Sequence, residues 1–138
     1  MSHIQANIVM FFLGGFFYCV MEMLARGRTH ISMLLAGGVC FLLVGGIRRL
    51  IGESAALISQ MMISGLFITI VEFCFGMILN QKMGLNVWDY SREQYNLFGQ
   101  ICLLYSNLWF LISAPIILFH DLLKCLLLDV PLPHYRIF

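Results

Sequence analysis

The chain has 138 residues, of which 61% are hydrophobic and only 11% charged, with a formal net charge of +1. A water-soluble domain carries about 25% charged residues, so this composition excludes one and points to a protein whose solvent is a bilayer. Four spans of ~20 residues would use most of the length, leaving no room for an ATPase or other soluble catalytic domain, and the charge balance offers no basic patch for nucleic acid.

In chain order, the opening Met1–Asn7 lacks a positive stretch and no small-residue cleavage site follows the first apolar run, so that run is expected to be a retained span. Span one is placed at about 8–25 and leads into Arg26-Gly27-Arg28-Thr29-His30. Span two covers about 31–47 and ends at Arg48-Arg49; span three follows at about 57–79. A longer connection, 80–100, contains Trp88-Asp89-Tyr90-Ser91. Span four covers about 101–123 with Pro115 inside it, and the tail 124–138 reads as extended. Unpaired backbone groups are too costly in hydrocarbon for spans of this length to be anything but helical. The expected fold is therefore all-α, a single domain of four transmembrane helices over residues 1–138. Lys and Arg divide four against four between the two faces, so the positive-inside rule assigns no orientation, and a dual-topology antiparallel homodimer stays open.

The two halves resemble each other. Gly15 to Glu22 aligns without a gap on Gly65 to Glu72, fifty residues later, with Gly, Phe and Glu identical. Gly37 to Leu42 aligns on Gly99 to Leu104 at an offset of 62. These matches predict tandem two-helix repeats, at about 8–50 and 57–123, related by an axis along the membrane normal. Glu22 and Glu72 would then lie at equivalent depths, each about 12 Å of helix from the loop that follows.

An ionisable side chain inside a span is costly and usually faces protein or a water-filled cavity, so Glu22 and Glu72 are the candidate proton- or cation-responsive groups. The plainer reading of Glu22 is an ion pair with Arg26 four residues on; Glu72 has no such partner in its own span. Loops one and three must emerge on one face. Arg26, Arg28 and His30 would there meet Trp88, Asp89, Tyr90, Ser91, Asn96 and Gln100, either as a polar vestibule above the glutamates or as ordinary interfacial anchoring. His30 with Asp89 is a candidate hydrogen-bonded pair, and His120-Asp121 reads as the end of span four. Gly37, Gly38, Gly45 and Gly46 make a packing seam whose partner is open, inside the chain or between subunits. Five cysteines form no CxxC pair, and no histidine pair suggests a metal site, so no metal or cofactor is expected.

The second half, Gly65 with Glu72, then Gly84 to Ser91 through Trp88-Asp89-Tyr90-Ser91, then Asn96-Leu97-Phe98-Gly99-Gln100-Ile101-Cys102, resembles the bacterial membrane family called putative ABC-transporter type IV. Arg26 to His30 with Ser32-Met33, and the ending Pro133 to Phe138, look like a small-protein branch of it, while span two lacks the Gly-Pro and Pro-x-Tyr-Gly elements of longer members. The resemblance carries Glu72, Trp88, Asp89, Tyr90, Ser91, Asn96, Gly99 and Cys102 as motif positions. It implies transport in a bacterial plasma (inner) membrane, by a permease subunit with a partner membrane or ATPase subunit, or by a small homo-oligomeric carrier. The alternative is a non-transporting adaptor or regulator that binds a partner through the polar loop face. No activated nucleophile is visible, so an enzyme is not expected; membrane lipid is the surrounding partner in every case.

Overall fold

The computed structural model describes residues 1–138. Helix α1 spans His3–Arg26. It begins five residues before the expected span because a capping box starts it: the Gln5 N–H donates to Ser2 Oγ at 3.3 Å and the Ser2 N–H donates to Gln5 Oε1 at 3.0 Å. Gly27, at φ +70°, ends it in a left-handed cap. Helix α2, Ile31–Ile51, starts on His30, whose Nδ1 accepts from the Ser32 N–H at 3.2 Å. It outruns the expected 31–47 because Arg48 and Arg49 suit a helix C-terminus, and Gly52 stops it.

Helix α3, Leu57–Gly76, passes directly into a π-helical segment, Met77–Lys82. Strands β1 (Asn96–Leu97) and β2 (Ile101–Cys102) form a minimal antiparallel hairpin, with Asn96 opposite Cys102. Helix α4 runs from Leu103 to Leu128 with Pro115 inside it. The tail was expected to leave the helix at 124, but Lys124 to Leu128 contains no helix breaker, and the helix ends only at Asp129, at φ +55°. The remaining tail then folds back. Leu57 N–H donates to the Arg136 carbonyl at 2.6 Å and Ile58 N–H to the Ile137 carbonyl at 3.3 Å, satisfying a helix start that has no side-chain cap.

All four helices are long and apolar enough to cross a membrane. The chain is thus a multi-pass, all-α membrane protein. Its outward surface agrees: side chains such as Leu24, 83% exposed, would be a liability in water but meet acyl chains in a bilayer. The helices pack through small residues. A Cβ on Gly14 would strike Phe41, one on Gly15 the Leu34 carbonyl, and one on Gly37 the Tyr18 side chain, so α1 and α2 approach at backbone distance. On α3, a Cβ on Gly65 would stand 3.0 Å from Phe110 Cα of α4. The glycine seam of α2 is internal at three of its four positions: Gly37 and Gly38 face α1 and Gly45 faces His120 of α4, while Gly46 is open.

A buried acid–base chain at the candidate functional site

The connection between α3 and α4 is held by its own polar side chains. Asn80, on the π-helical turn, accepts from the Val87 N–H at 2.7 Å and donates to Gln100 Oε1 at 2.8 Å. The Trp88 indole N–H donates to the Gln100 carbonyl at 2.9 Å, and the Tyr90 N–H donates to the Gly99 carbonyl at 2.8 Å. Asn96 closes the hairpin: its Nδ2 donates to the Glu93 carbonyl at 2.9 Å and its Oδ1 accepts from Gly99 N–H at 3.0 Å. Gly99, at φ +68°, makes a turn that an L side chain rarely adopts. Asp89 Oδ1 accepts from the Ser91 N–H at 2.9 Å, and that bond holds the exposed carboxyl below the usual carboxylate range. The loop is a bracket. It carries Tyr90 into the protein, where its ring stacks on Tyr105 at 4.5 Å between centroids.

The Tyr90 hydroxyl links the two glutamate helices. It donates to Glu72 Oε1 of α3 at 2.9 Å and accepts from Arg26 Nη2 of α1 at 2.8 Å. Burial first, and the Glu72 carboxylate next, push the Tyr90 phenol well above its ordinary value, so it stays protonated and remains a donor. Glu72 Oε2 accepts from the Trp109 indole N–H of α4 at 3.0 Å. Arg26 also stands 3.7 Å from Glu22, an ion pair along one helix face, and its Nη1 has no hydrogen-bond partner. Glu72 and Glu22 are 6% and 8% exposed. Five side chains therefore run Glu22–Arg26–Tyr90–Glu72–Trp109, joining α1, the loop, α3 and α4.

Beside this chain a cavity of about 120 Å³ opens between α1 and α4, lined by Tyr18, Glu22, Arg26, Tyr90, Tyr105 and Trp109 among others. A second, apolar cavity of about 80 Å³ shares Tyr18, Met21 and Trp109 with it and runs on toward Cys40 and Phe119. Polar side chains thus line one cavity and hydrocarbon the other, with Tyr18, Met21 and Trp109 shared between them.

The remaining candidates are distributed differently from a single vestibule. Trp88, Ser91, Asn96 and Gln100 line neither cavity; apart from Ser91, whose backbone N–H and carbonyl serve the turn, their side chains hold the bracket. Arg28 and His30 line a separate cleft of about 130 Å³ with Asn86. His30 and Asp89 do not pair, because each is taken up by its own turn, with Ser32 and Ser91 respectively. His120 and Asp121 do not end the span. They lie inside α4, where Asp121 accepts from Arg48 at 3.1 Å and from the Tyr135 hydroxyl at 2.9 Å. Sequence reasoning missed Trp109, although a tryptophan in mid-span carries an N–H that needs an acceptor, and it missed the Arg48–Asp121–Tyr135 cluster, which joins three distant parts of the chain.

No curated protein and no solved structure shows significant similarity to the chain. One family profile matches, described as "Putative ABC-transporter type IV", over residues 8–133. Since the match covers nearly the whole chain, from α1 through the hairpin and α4 into the tail, the chain belongs to that family.

Proposed function

We propose that the protein is a transporter component of a bacterial plasma membrane, a permease subunit or a small homo-oligomeric carrier, in which Glu72 takes up and releases a proton or monovalent cation. The observation that carries this reading is the setting of Glu72: a carboxyl buried among membrane helices and touched by two neutral donors rather than a cation, both of which, Tyr90 and Trp109, line a cavity that Glu72 itself does not. Intramembrane carboxyls are costly, so a structural role would favour direct pairing with a cation. Here the guanidinium stands one hydroxyl away.

That arrangement supplies a coupling step. A proton added to Glu72 Oε1 removes the acceptor of the Tyr90 O–H. The Tyr90 hydroxyl then turns, Arg26 loses its acceptor, and the guanidinium can close the 3.7 Å gap to Glu22. Loading at α3 is thereby communicated to α1 and to the loop bracket. Four helices enclose little volume, which favours a pathway completed by another subunit.

The test is proton flux, followed with an entrapped pH dye in membrane vesicles of a host that retains the native neighbours. Glu72→Gln is expected to lower flux about a hundredfold or more, the scale of one positioned proton-transfer group, at unchanged expression and assembly size. Unchanged flux ends the proposal. A second reading, an adaptor that docks a partner by its loop face, draws support from the exposed Tyr95 (81%) and Phe98 on the hairpin. It expects Asp89→Lys or Arg28→Glu to release a co-purifying chain while Glu72→Gln retains it.

A further inference from the structure

We propose that the face opposite the loop bracket holds a site for the phosphate group of an anionic phospholipid. A cavity of about 330 Å³, larger than either cleft beside the glutamates, opens where α1 begins and α2 and α4 end. His3 and Asn7 of α1, Arg49 of α2, and His120 and Lys124 of α4 converge on it, and no carboxylate lines it. His3 with Asn7, and His120 with Lys124, are four residues apart, so each pair presents one helix face.

The charge there is uncompensated. The ion pairs of the chain join Glu22 to Arg26 and Asp121 to Arg48 and His120; Arg49 and Lys124 belong to none. Adjacent residues of α2 thus have opposite fates, Arg48 neutralised inside the bundle and Arg49 free at the cavity. The second observation is His120. Its side chain is buried, at 4% exposure for the residue, and Nδ1 has no hydrogen-bond partner, standing 3.7 Å from Asp121 Oδ1. The opposite edge of the ring lies against Gly45, where a Cβ would collide with it, and His120 and Gly45 are both among the residues lining the cavity. A bound phosphate would take charge-assisted hydrogen bonds from Arg49 and Lys124, with the buried His120 ring beside them.

The source of the phosphate is argued from the other wall. Met10, Leu42 and Leu128 form it, and exposed Ile4, Leu50 and Leu126 surround that end of the bundle. A free phosphate ion would use only the polar half, whereas a lipid matches both halves, headgroup to the cations and glycerol and acyl chains to the apolar wall. Basic pockets between helices at a membrane surface have the chemistry that anionic headgroups select.

The experiment is native mass spectrometry of the protein extracted from vesicles of equal phosphatidylglycerol and phosphatidylethanolamine, with inorganic phosphate titrated in a parallel thermal-shift series. Selective retention of phosphatidylglycerol is expected. Arg49→Gln with Lys124→Gln should reduce it about 30-fold, the loss of two cations near an anionic surface. Lys82→Gln with Arg92→Gln, removing the same charge from the opposite face, should leave it intact. Equal retention of the two lipids, or equal loss in both double variants, overturns the site. Stabilisation by millimolar inorganic phosphate without lipid selectivity overturns the lipid as its source.

Discussion

At the scale of single residues, the buried chain depends on one hydroxyl. Tyr90→Phe keeps the ring stacked on Tyr105 but leaves Glu72 Oε1 and Arg26 Nη2 each short of a partner. A stability loss of about 1–3 kcal/mol is expected, the range for a buried polar group left unsatisfied, read as a lower midpoint of thermal unfolding in detergent. Asp89 makes the pH prediction. Its carboxyl sits below the ordinary value of about 3.9, so its contribution is present above that value and is lost as pH falls through the lowered one. Order in the loop, followed by Trp88 fluorescence, should be flat from neutrality to about pH 5 and loosen only below about pH 4, and Asp89→Asn should remove this acid transition. Glu22 and Glu72 were legible as candidates because charge inside an apolar run is conspicuous. Trp109 was not, because an indole inside a greasy span looks like packing until its acceptor is seen.

At the scale of elements, sequence and structure agree most closely on the helices and least at their ends. The apolar runs mark four spans, but capping decides where each begins and stops: Ser2 with Gln5 extends α1, and the folded-back tail substitutes for the missing cap of α3. The Trp88 to Cys102 motif was legible as a unit of the chain and not as a bracket, since its bonds reach back to Asn80 and its product is the position of Tyr90. The glycines give an element-scale test. Gly37→Val should destabilise the α1–α2 pair by about 1–3 kcal/mol, the usual overpacking cost, because Tyr18 fills the space. Gly46→Ala should be neutral, since nothing stands within 4 Å of an added Cβ. Thermal unfolding of the two variants side by side separates a true packing seam from general intolerance of side chains in α2.

At the scale of the whole molecule, the Arg26–Tyr90 bond puts loop one and the α3–α4 connection on one face, and the tail on α3 puts the other ends together. In a variant without native cysteines, Arg28→Cys and Glu93→Cys should react with an impermeant thiol reagent from one side of a vesicle. Glu53→Cys and His134→Cys should react only from the other. Labelling of every position from both sides would instead mark a dual-topology protein, the outcome that an even division of Lys and Arg leaves open.

What the sequence by itself determined is the solvent and the class: 61% hydrophobic residues in four runs require a bilayer, and a bilayer requires helices. That requirement is local, acting on each run separately, and so it can be read in one dimension. Only the tertiary structure decided which polar groups meet. Glu22 and Glu72 come into one chain of contacts through Tyr90, and Arg48 finds Asp121 while Arg49 does not. Those choices follow from helix rotation and from close approach at glycines. Helix rotation is set by packing between distant segments and leaves no trace along the chain, and the glycine seam of α2, though legible in sequence, does not say which segment it meets.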